Sequence, residues 1–379
     1  MDELEYLDSL IVLALILASG LISLEVGIAV PILEVLAGIL GGNLLHIEFS
    51  QPLQYLSYLG LISLMYLAGL EVDLKIMKEN LRKSGCIGIP SYLLPAAVVS
   101  AVAYLLIPPL QNNPKQSIIT GIILSTTSLA IVYPILKESK FMQTPVGKTI
   151  LGGAAFTEIL AMITLSFFFL DYSNFTLLLF LTLVLSIFTL PDFSKKLLNR
   201  YHDELPEIEL RFILLLLLGM STLSEIANVE IAITAFFLGV ITSEVIKDYS
   251  QLEKKLRTLT FGFLSPFFFL EVGLDIKPEY ILPNLGLILT LLLVGYTTKY
   301  LGTNLFARKN IPTHAGYISH LFNMPMPLGL LFAVLAFNQG IYTQSTYASM
   351  VIVILAASII SSYSIGRKRC GLDMVCDIY

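Results

Sequence analysis

The sequence has no tryptophan, three cysteines and few charges. Only 13% of its 379 residues are Asp, Glu, Lys or Arg. A water-soluble domain covers its surface with such groups, and a mean hydropathy of +0.81 is incompatible with that. Cys86, Cys370 and Cys376 lack disulfide or zinc spacing and read as reduced, unpaired thiols. Without tryptophan, the 18 tyrosines must supply any aromatic belt at a membrane surface. The opening MDELEYLDS lacks the basic residues of a secretion signal, so the first apolar run reads as a retained helix. There is no nucleophile–base set, metal-ligand cluster or phosphate-binding glycine loop. An enzyme is therefore not expected, nor a cofactor, nor a nucleic-acid partner.

What the sequence does have is apolar runs long enough to cross a bilayer, which takes about 18 residues or more. Thirteen spans are read, at 5–24, 27–44, 52–73, 85–107, 115–137, 144–170, 173–191, 206–227, 230–247, 257–276, 280–306, 312–338 and 344–366. The fold class is thus an all-α polytopic membrane protein. Twenty of the 23 lysines and arginines fall in loops on one side, among them Lys75, Lys78, Lys140, Lys148, Arg200, Lys247, Arg257 and Arg367. Only Lys115 and Lys277 fall on the other. Basic loops stay in the cytoplasm, which places the N-terminus outside and the C-terminus inside. The remaining basic residue, Lys299, lies within a span.

Two span ends echo each other. YLAGLEVDLK (66–75) closes span 3 and FLEVGLDIK (269–277) closes span 10. By the loop charges these ends lie on opposite sides, which suggests two inverted repeats, spans 1–6 and 8–13, joined by span 7. The fifth span of each half is also weakened. ILSTTSLAIVYPILKE (123–138) sets Ser125, Thr126, Thr127 and Ser128 at mid-span, with Pro134 beyond. ISHLFNMPMPLGL (318–330) carries Asn323, Pro325, Pro327 and Gly329. Proline removes an N–H and clashes with the preceding turn. Matched discontinuous helices point to a transporter site, where freed carbonyls and half-helix dipoles meet an ion. The bland alternative is local back-bonding and simple kinks.

Glu158 stands alone near the middle of LGGAAFTEILAMITLSFFFL (151–170). A charge at that depth costs about 2.5–3.5 kcal/mol on insertion scales, so it must face protein or water. A buried carboxyl that takes either a proton or an alkali cation is the minimum device for coupled exchange. A structural carboxyl bonded to a neighbour is the alternative. Lys299, in VGYTTKYLG (294–302), either snorkels to the inner surface or makes an ion pair in the core, with Glu158 a candidate partner. Glu34 and Glu271 read as caps or helix–helix hydrogen bonds, and Glu71 and Asp73 as an interfacial cluster with Lys75 and Lys78. His46, His202, His314 and His320 read as loop or helix-end residues, with His320 the one that enters a broken span.

Six segments, in order, carry a resemblance: PILEVLAGILGGNLL (31–45), LAGLEVDLKIMKENL (67–81), LSTTSLAIVYPILKE (124–138), GGAAFTEILAMI (152–163), SPFFFLEVGLDI (265–276) and TKYLGTNLFARK (298–309). Together they resemble the monovalent cation:proton antiporter-2 family of prokaryotic Na⁺/H⁺ and K⁺/H⁺ exchangers. The resemblance implies a homodimer in which a core moves against an interface domain. It divides the chain into 1–84 (interface), 85–171 (core), 172–205 (linker), 206–279 (interface), 280–366 (core) and 367–379 (tail). The family's acidic pair falls on Thr157 and Glu158, and its tenth-helix lysine, counted without the extra first helix, on Lys299. The implied cation and proton site is Glu158, Thr157 and Ser125 to Ser128, tuned by Lys299, with Glu271, Asn323 and Glu71 as outer candidates.

Two departures stand out. Thr-Glu replaces the usual Asp-Asp or Asn/Gln-Asp pair, and NMPMPLG (323–329) replaces a common Arg-Gly-Glu stretch. The stretch after the last span is also too short for the nucleotide-binding domain of potassium-efflux relatives. The expectation is exchange of Na⁺ or Li⁺ for H⁺ across a prokaryotic cell membrane. With one acid in the pair, it is electroneutral. K⁺/H⁺ exchange is the alternative, and a non-transporting sensor or channel-like protein the alternative of another class.

Overall fold

The computed structural model describes residues 3–108, 110–138, 141–169, 174–201, 207–247 and 249–372. Lys140, His202 and Cys376 lie outside them, as do the side chains of Arg200, Lys247, Arg367, Lys368, Arg369 and Cys370. The described residues form α1 (Glu3–Val26), α2 (Val30–Leu44), α3 (Gln51–Glu71), α4 (Leu74–Glu79), α5 (Leu81–Leu106), α6 (Pro114–Ser125), α7 (Leu129–Glu138), α8 (Pro145–Phe169) and α9 (Asn174–Tyr201). Then follow α10 (Ile208–Ile226), α11 (Ile231–Lys247), α12 (Ser250–Leu259), α13 (Ser265–Leu274), α14 (Leu285–Asn310), α15 (Ala315–Phe322), α16 (Leu328–Asn338) and α17 (Gln344–Leu372). No strand occurs among the described residues.

Each of the thirteen expected spans falls on a helix or a helix pair. Eight stretches among the described residues are long and apolar enough to cross a membrane, and α2, α16 and Ile231–Ile246 are shorter apolar helices. The fifth span is two helices, α6 and α7, separated at 126–128. The twelfth is also two, α15 and α16, separated at 323–327. In the first break Thr126 takes an extended backbone, φ −66° and ψ 149°, which ends α6. In the second, Pro325 and Pro327 supply no N–H to continue α15, and α16 restarts directly after Pro327.

Span 10 differs from its expected form. It begins earlier, as the charged and amphipathic α12, and passes through a π-helical turn, Thr260–Leu264, into α13. In α12 the apolar Leu252 and Leu256 are buried. Arg257 and Glu253 pair across one turn at 3.1 Å. A hydropathy reading misses such a helix because its polar face dilutes the apolar one.

The chain forms two compact units. The first is Met1–Ser50, Lys75–Ala161 and Phe269–Tyr379, and the second is Gln51–Leu74 and Met162–Phe268. The echo between spans 3 and 10 has a physical counterpart in each. Within the first unit, Gly273 of α13 meets α2: a Cβ there would lie 2.1 Å from the Val35 oxygen and 2.8 Å from the Gly38 Cα. Within the second, Gly69 of α3 meets α11: a Cβ would lie 2.1 Å from the Phe236 oxygen and 3.0 Å from the Gly239 Cα. These are the glycines of LEVGLD and LAGLEV. Span 10 meets span 2, and span 3 meets span 9, as an exchange of the two repeats requires.

The interior of the first unit is organised on α5, which packs on α6 and α14. Gly88 lets α8 approach it. A Cβ at Gly88 would lie 2.4 Å from the Gly153 oxygen. In turn α14 packs on α15 and α17, and α16 packs on α6. Both breaks are thereby held in one protein interior.

Candidate functional site

The two breaks touch. The Thr127 hydroxyl donates to the Phe322 carbonyl at 2.9 Å. The Ser128 amide donates to the Met324 carbonyl at 3.2 Å. The Thr126 hydroxyl lies 3.4 Å from the Pro325 oxygen. Backbone groups that a continuous helix would have satisfied internally are thus satisfied across the crossing.

Each half-helix of the first break exposes a polar end. The last carbonyls of α6 point past its C-terminus and the first amides of α7 past its N-terminus. Lys299, on α14 and 1% exposed, meets the first. Its Nζ donates to the Ser125 carbonyl at 2.5 Å and to that of Thr126. Snorkelling is excluded by this burial. The Lys299 nitrogen sits on backbone carbonyls at the break, a partner that neither reading of the sequence anticipated.

Glu158, on α8 and 0% exposed, meets the other end. Its Oε2 accepts from the Leu129 amide, the first of α7, at 3.2 Å. Ser128 occupies the cap position of α7, where a serine hydroxyl ordinarily bonds an amide of the first turn. Here the carboxylate from another helix takes an α7 amide instead. Ser128 Oγ is buried and makes no hydrogen bond among the described residues. A buried hydroxyl oxygen of this kind, on the residue before the amide that Glu158 holds, is open to a cation.

The remaining hydroxyls back-bond. Ser125 donates to the Ile122 carbonyl at 2.7 Å, Thr126 to Ile123 at 2.8 Å and Thr157 to Ala154 at 2.7 Å. A hydroxyl that donates its proton this way still offers lone pairs to a cation. Local back-bonding is therefore true of these three, without removing their oxygens from the site. Asn323 joins the second break: its Nδ2 donates to the Ser319 carbonyl at 3.2 Å and the Tyr296 carbonyl at 3.3 Å.

The structure brings together Glu158, Ser125, Thr126, Thr127, Ser128 and Lys299 around one broken helix, with Thr157 buried beside Glu158 in sequence and Asn323 in the facing break. It places Glu271 elsewhere, on α13, the helix that packs against α2. Glu71 belongs to the second unit. It pairs with Arg257 Nη1 at 2.9 Å. Its partner is thus a residue of α12 and not Lys75 or Lys78, both of which are exposed. Glu34 is buried on α2. The Leu129 amide and the Met324 and Phe322 carbonyls were missed by sequence reasoning. Backbone groups leave no mark in residue type beyond the proline and hydroxyl clusters that flagged the breaks.

Comparison with known proteins bears on the family and the fold. A family described as "Sodium/hydrogen exchanger, transmembrane" matches residues 10–367. The chain is 28% identical over 369 residues to a Na⁺/H⁺ antiporter of Enterococcus hirae, covering 90% of this chain and 91% of that one. It is 27% identical over 341 residues to the Na⁺/H⁺-K⁺ antiporter GerN of Bacillus cereus, covering 85% and 86%. Its fold is similar to that of the sodium proton antiporter MjNhaP1 of Methanocaldococcus jannaschii, with TM-score 0.68, 16% identity and 97% of each chain covered. The all-α, multi-span class with two broken helices and the resemblance of the six segments are both borne out. The chain belongs to the sodium/hydrogen exchanger family.

Proposed function

We propose that the protein exchanges Na⁺ (or Li⁺) for H⁺ across the cell membrane, with Glu158 as the group that holds either a proton or the cation. The observation that carries this reading is the carboxylate of Glu158 on the opening amide of α7, the residue after Ser128, whose Oγ makes no hydrogen bond among the described residues. When ionised, Glu158 offers hard oxygens to an alkali cation, and Ser128 and Thr157 offer hydroxyls. When the cation leaves, a proton neutralises the same oxygens. Lys299 tunes the field by neutralising the carbonyl end of α6 at the same break. Among the described residues bonded into the crossing, Glu158 alone carries a carboxylate, which supports one proton per cation and electroneutral exchange.

The longer-range expectations belong to the same proposal. Loop charges support an outside N-terminus and a cytoplasmic C-terminus. The protein would work as a homodimer, with 85–171 and 280–366 as the moving core, 1–84 and 206–279 as the interface and 172–205 as linker. K⁺ as cargo is the second reading, favoured by the GerN name.

The test is ion-driven dissipation of a pH gradient by purified protein in liposomes, with Na⁺, Li⁺ and K⁺ supplied in turn. Na⁺ and Li⁺ should dissipate it, and Glu158→Gln should not respond. A K⁺ response exceeding that to Na⁺ selects the second reading. Unchanged exchange in Glu158→Gln refutes the assignment. No exchange in the wild-type protein refutes the function and favours a sensor or channel-like role.

A further inference from the structure

The second break has an unused oxygen of its own. Ser358, on α17, is 1% exposed, and its Oγ makes no hydrogen bond among the described residues. Other serines of that helix behave differently. Ser349 and Ser364 donate to the carbonyls four residues back, those of Ser345 and Ile360, at 2.8 Å and 2.7 Å. Ser361 turns from its own helix and donates to the Asn323 carbonyl at 2.9 Å. A buried hydroxyl that neither back-bonds nor ties two elements has given up its bonds to water and gained none in exchange. Packing alone would be served as well by alanine.

The register of α17 sets which surface this oxygen meets. Ile354 Cδ1 lies 3.5 Å from the point where a Cβ on Gly329 would stand, and Thr126 Oγ1 lies 3.4 Å from the same point. Ser361 meets Asn323 at the other end of the break. Residues 354, 358 and 361 are spaced i, i+4 and i+7 and so share one helix face. Ser358 therefore faces the second break, between Asn323 and Gly329. The carbonyls of Phe322, Asn323, Met324 and Pro325 already accept, from the Thr127 hydroxyl, the Ser361 hydroxyl, the Ser128 amide and the Gly329 amide. Ser358 is not needed to satisfy any of them, and both of its lone pairs are open. The carbonyl end of α15 lies at the same break, and a helix C-terminus favours positive charge.

We propose that Ser358 is a further ligand oxygen for the transported cation, contributed by α17 as the cation passes the second break. This rests on the exchange reading above and extends it from the first break to the second. A hydroxyl is a neutral, hard oxygen, suited to an alkali cation that has shed part of its water. It brings no charge of its own, so the balance of one proton per cation at Glu158 is untouched. Ser358 acts on how tightly the cation is held, whereas Glu158 decides what it is exchanged for.

The test is the Na⁺ dependence of exchange in liposomes for the wild type, Ser358→Ala and Ser358→Thr, with thermal melts of the same proteins in Na⁺-free detergent. Ser358→Ala should raise half-saturating Na⁺ about fivefold to tenfold without a matching loss of maximal rate. Its melting midpoint should not fall, because no hydrogen bond is lost. Ser358→Thr keeps the hydroxyl and should hold half-saturation near the wild-type value. If Ser358→Thr does not fold, Ser358→Cys decides. It is close to serine in size but offers soft sulfur, and should weaken Na⁺ as Ser358→Ala does. An unchanged half-saturation in Ser358→Ala would overturn the inference, as would equal weakening in Ser358→Ala and Ser358→Thr. So would a midpoint lowered by several degrees in Ser358→Ala, which would mark a structural role. Wild-type exchange with an unaffected Ser358→Ala refutes this inference alone. A wild-type protein without Na⁺-driven exchange refutes the exchange reading and this inference with it.

Discussion

Glu158 and Lys299 meet the two ends of one interrupted helix, and the distinction between their roles follows from which end each meets. Carbonyl oxygens at the α6 terminus need a donor, and the buried Lys299 nitrogen supplies it. The α7 amide needs an acceptor, and a carboxylate supplies it. Removing either side chain would leave buried backbone groups unsatisfied at about 1–3 kcal/mol each. Ser128 is different, because its hydroxyl has no partner among the described residues to lose. Ser128→Ala should therefore leave the melting midpoint within a degree or so of wild type while weakening half-saturation by Na⁺ about fivefold to tenfold, the equivalent of about 1–1.5 kcal/mol for one net oxygen contact. Paired thermal melts and Na⁺ titrations of exchange check both. An unchanged Na⁺ titration would remove Ser128 from the ligand set.

At the scale of elements, the glycine contacts set how closely helices approach. Gly69 and Gly273 each face a carbonyl oxygen that an added Cβ would overlap, at 2.1 Å in both cases. Gly69→Ala or Gly273→Ala forces the helix pair apart, and overpacking of this kind costs about 1–3 kcal/mol. Both variants should lower the melting midpoint of purified protein, and by similar amounts if the two contacts are counterparts. A midpoint equal to wild type in either would show that the helices separate freely there.

Much of this scale was legible in the sequence. The thirteen spans, both breaks and the lone mid-span acid could be read from hydropathy, proline and hydroxyl clusters. What was not legible depends on packing between distant segments. Glu71 lies near Lys75 in sequence but pairs with Arg257, because a helix end fixes which side chain can fold back and α12 was hidden by its own polar face. Lys299 had two readings, snorkelling to the inner surface or an ion pair in the core, and its carbonyl partners are backbone groups that no residue type announces. The glycine echo was visible as a motif, whereas its meaning as two equivalent helix contacts needed the partners Gly38 and Gly239.

For the whole molecule, the account makes net charge movement the discriminating property. One carboxylate at the crossing that exchanges one proton for one monovalent cation moves no charge per cycle. Exchange in liposomes clamped at different membrane potentials should therefore proceed at the same rate, within about twofold over 100 mV. One elementary charge moved through the whole potential would instead be worth about 2.3 kcal/mol. Steep voltage dependence would bring a second titrating group, with Lys299 the first candidate, into the cycle.

The most direct measurement of the central claim is proton release on cation binding by the purified protein in weakly buffered detergent, followed with a pH indicator while Na⁺ is added. The account predicts about one proton released per cation bound at saturation, and none from Glu158→Gln. Saturable Na⁺ binding by the wild-type protein with no proton released would contradict it, because cation and proton would then not share the Glu158 carboxylate.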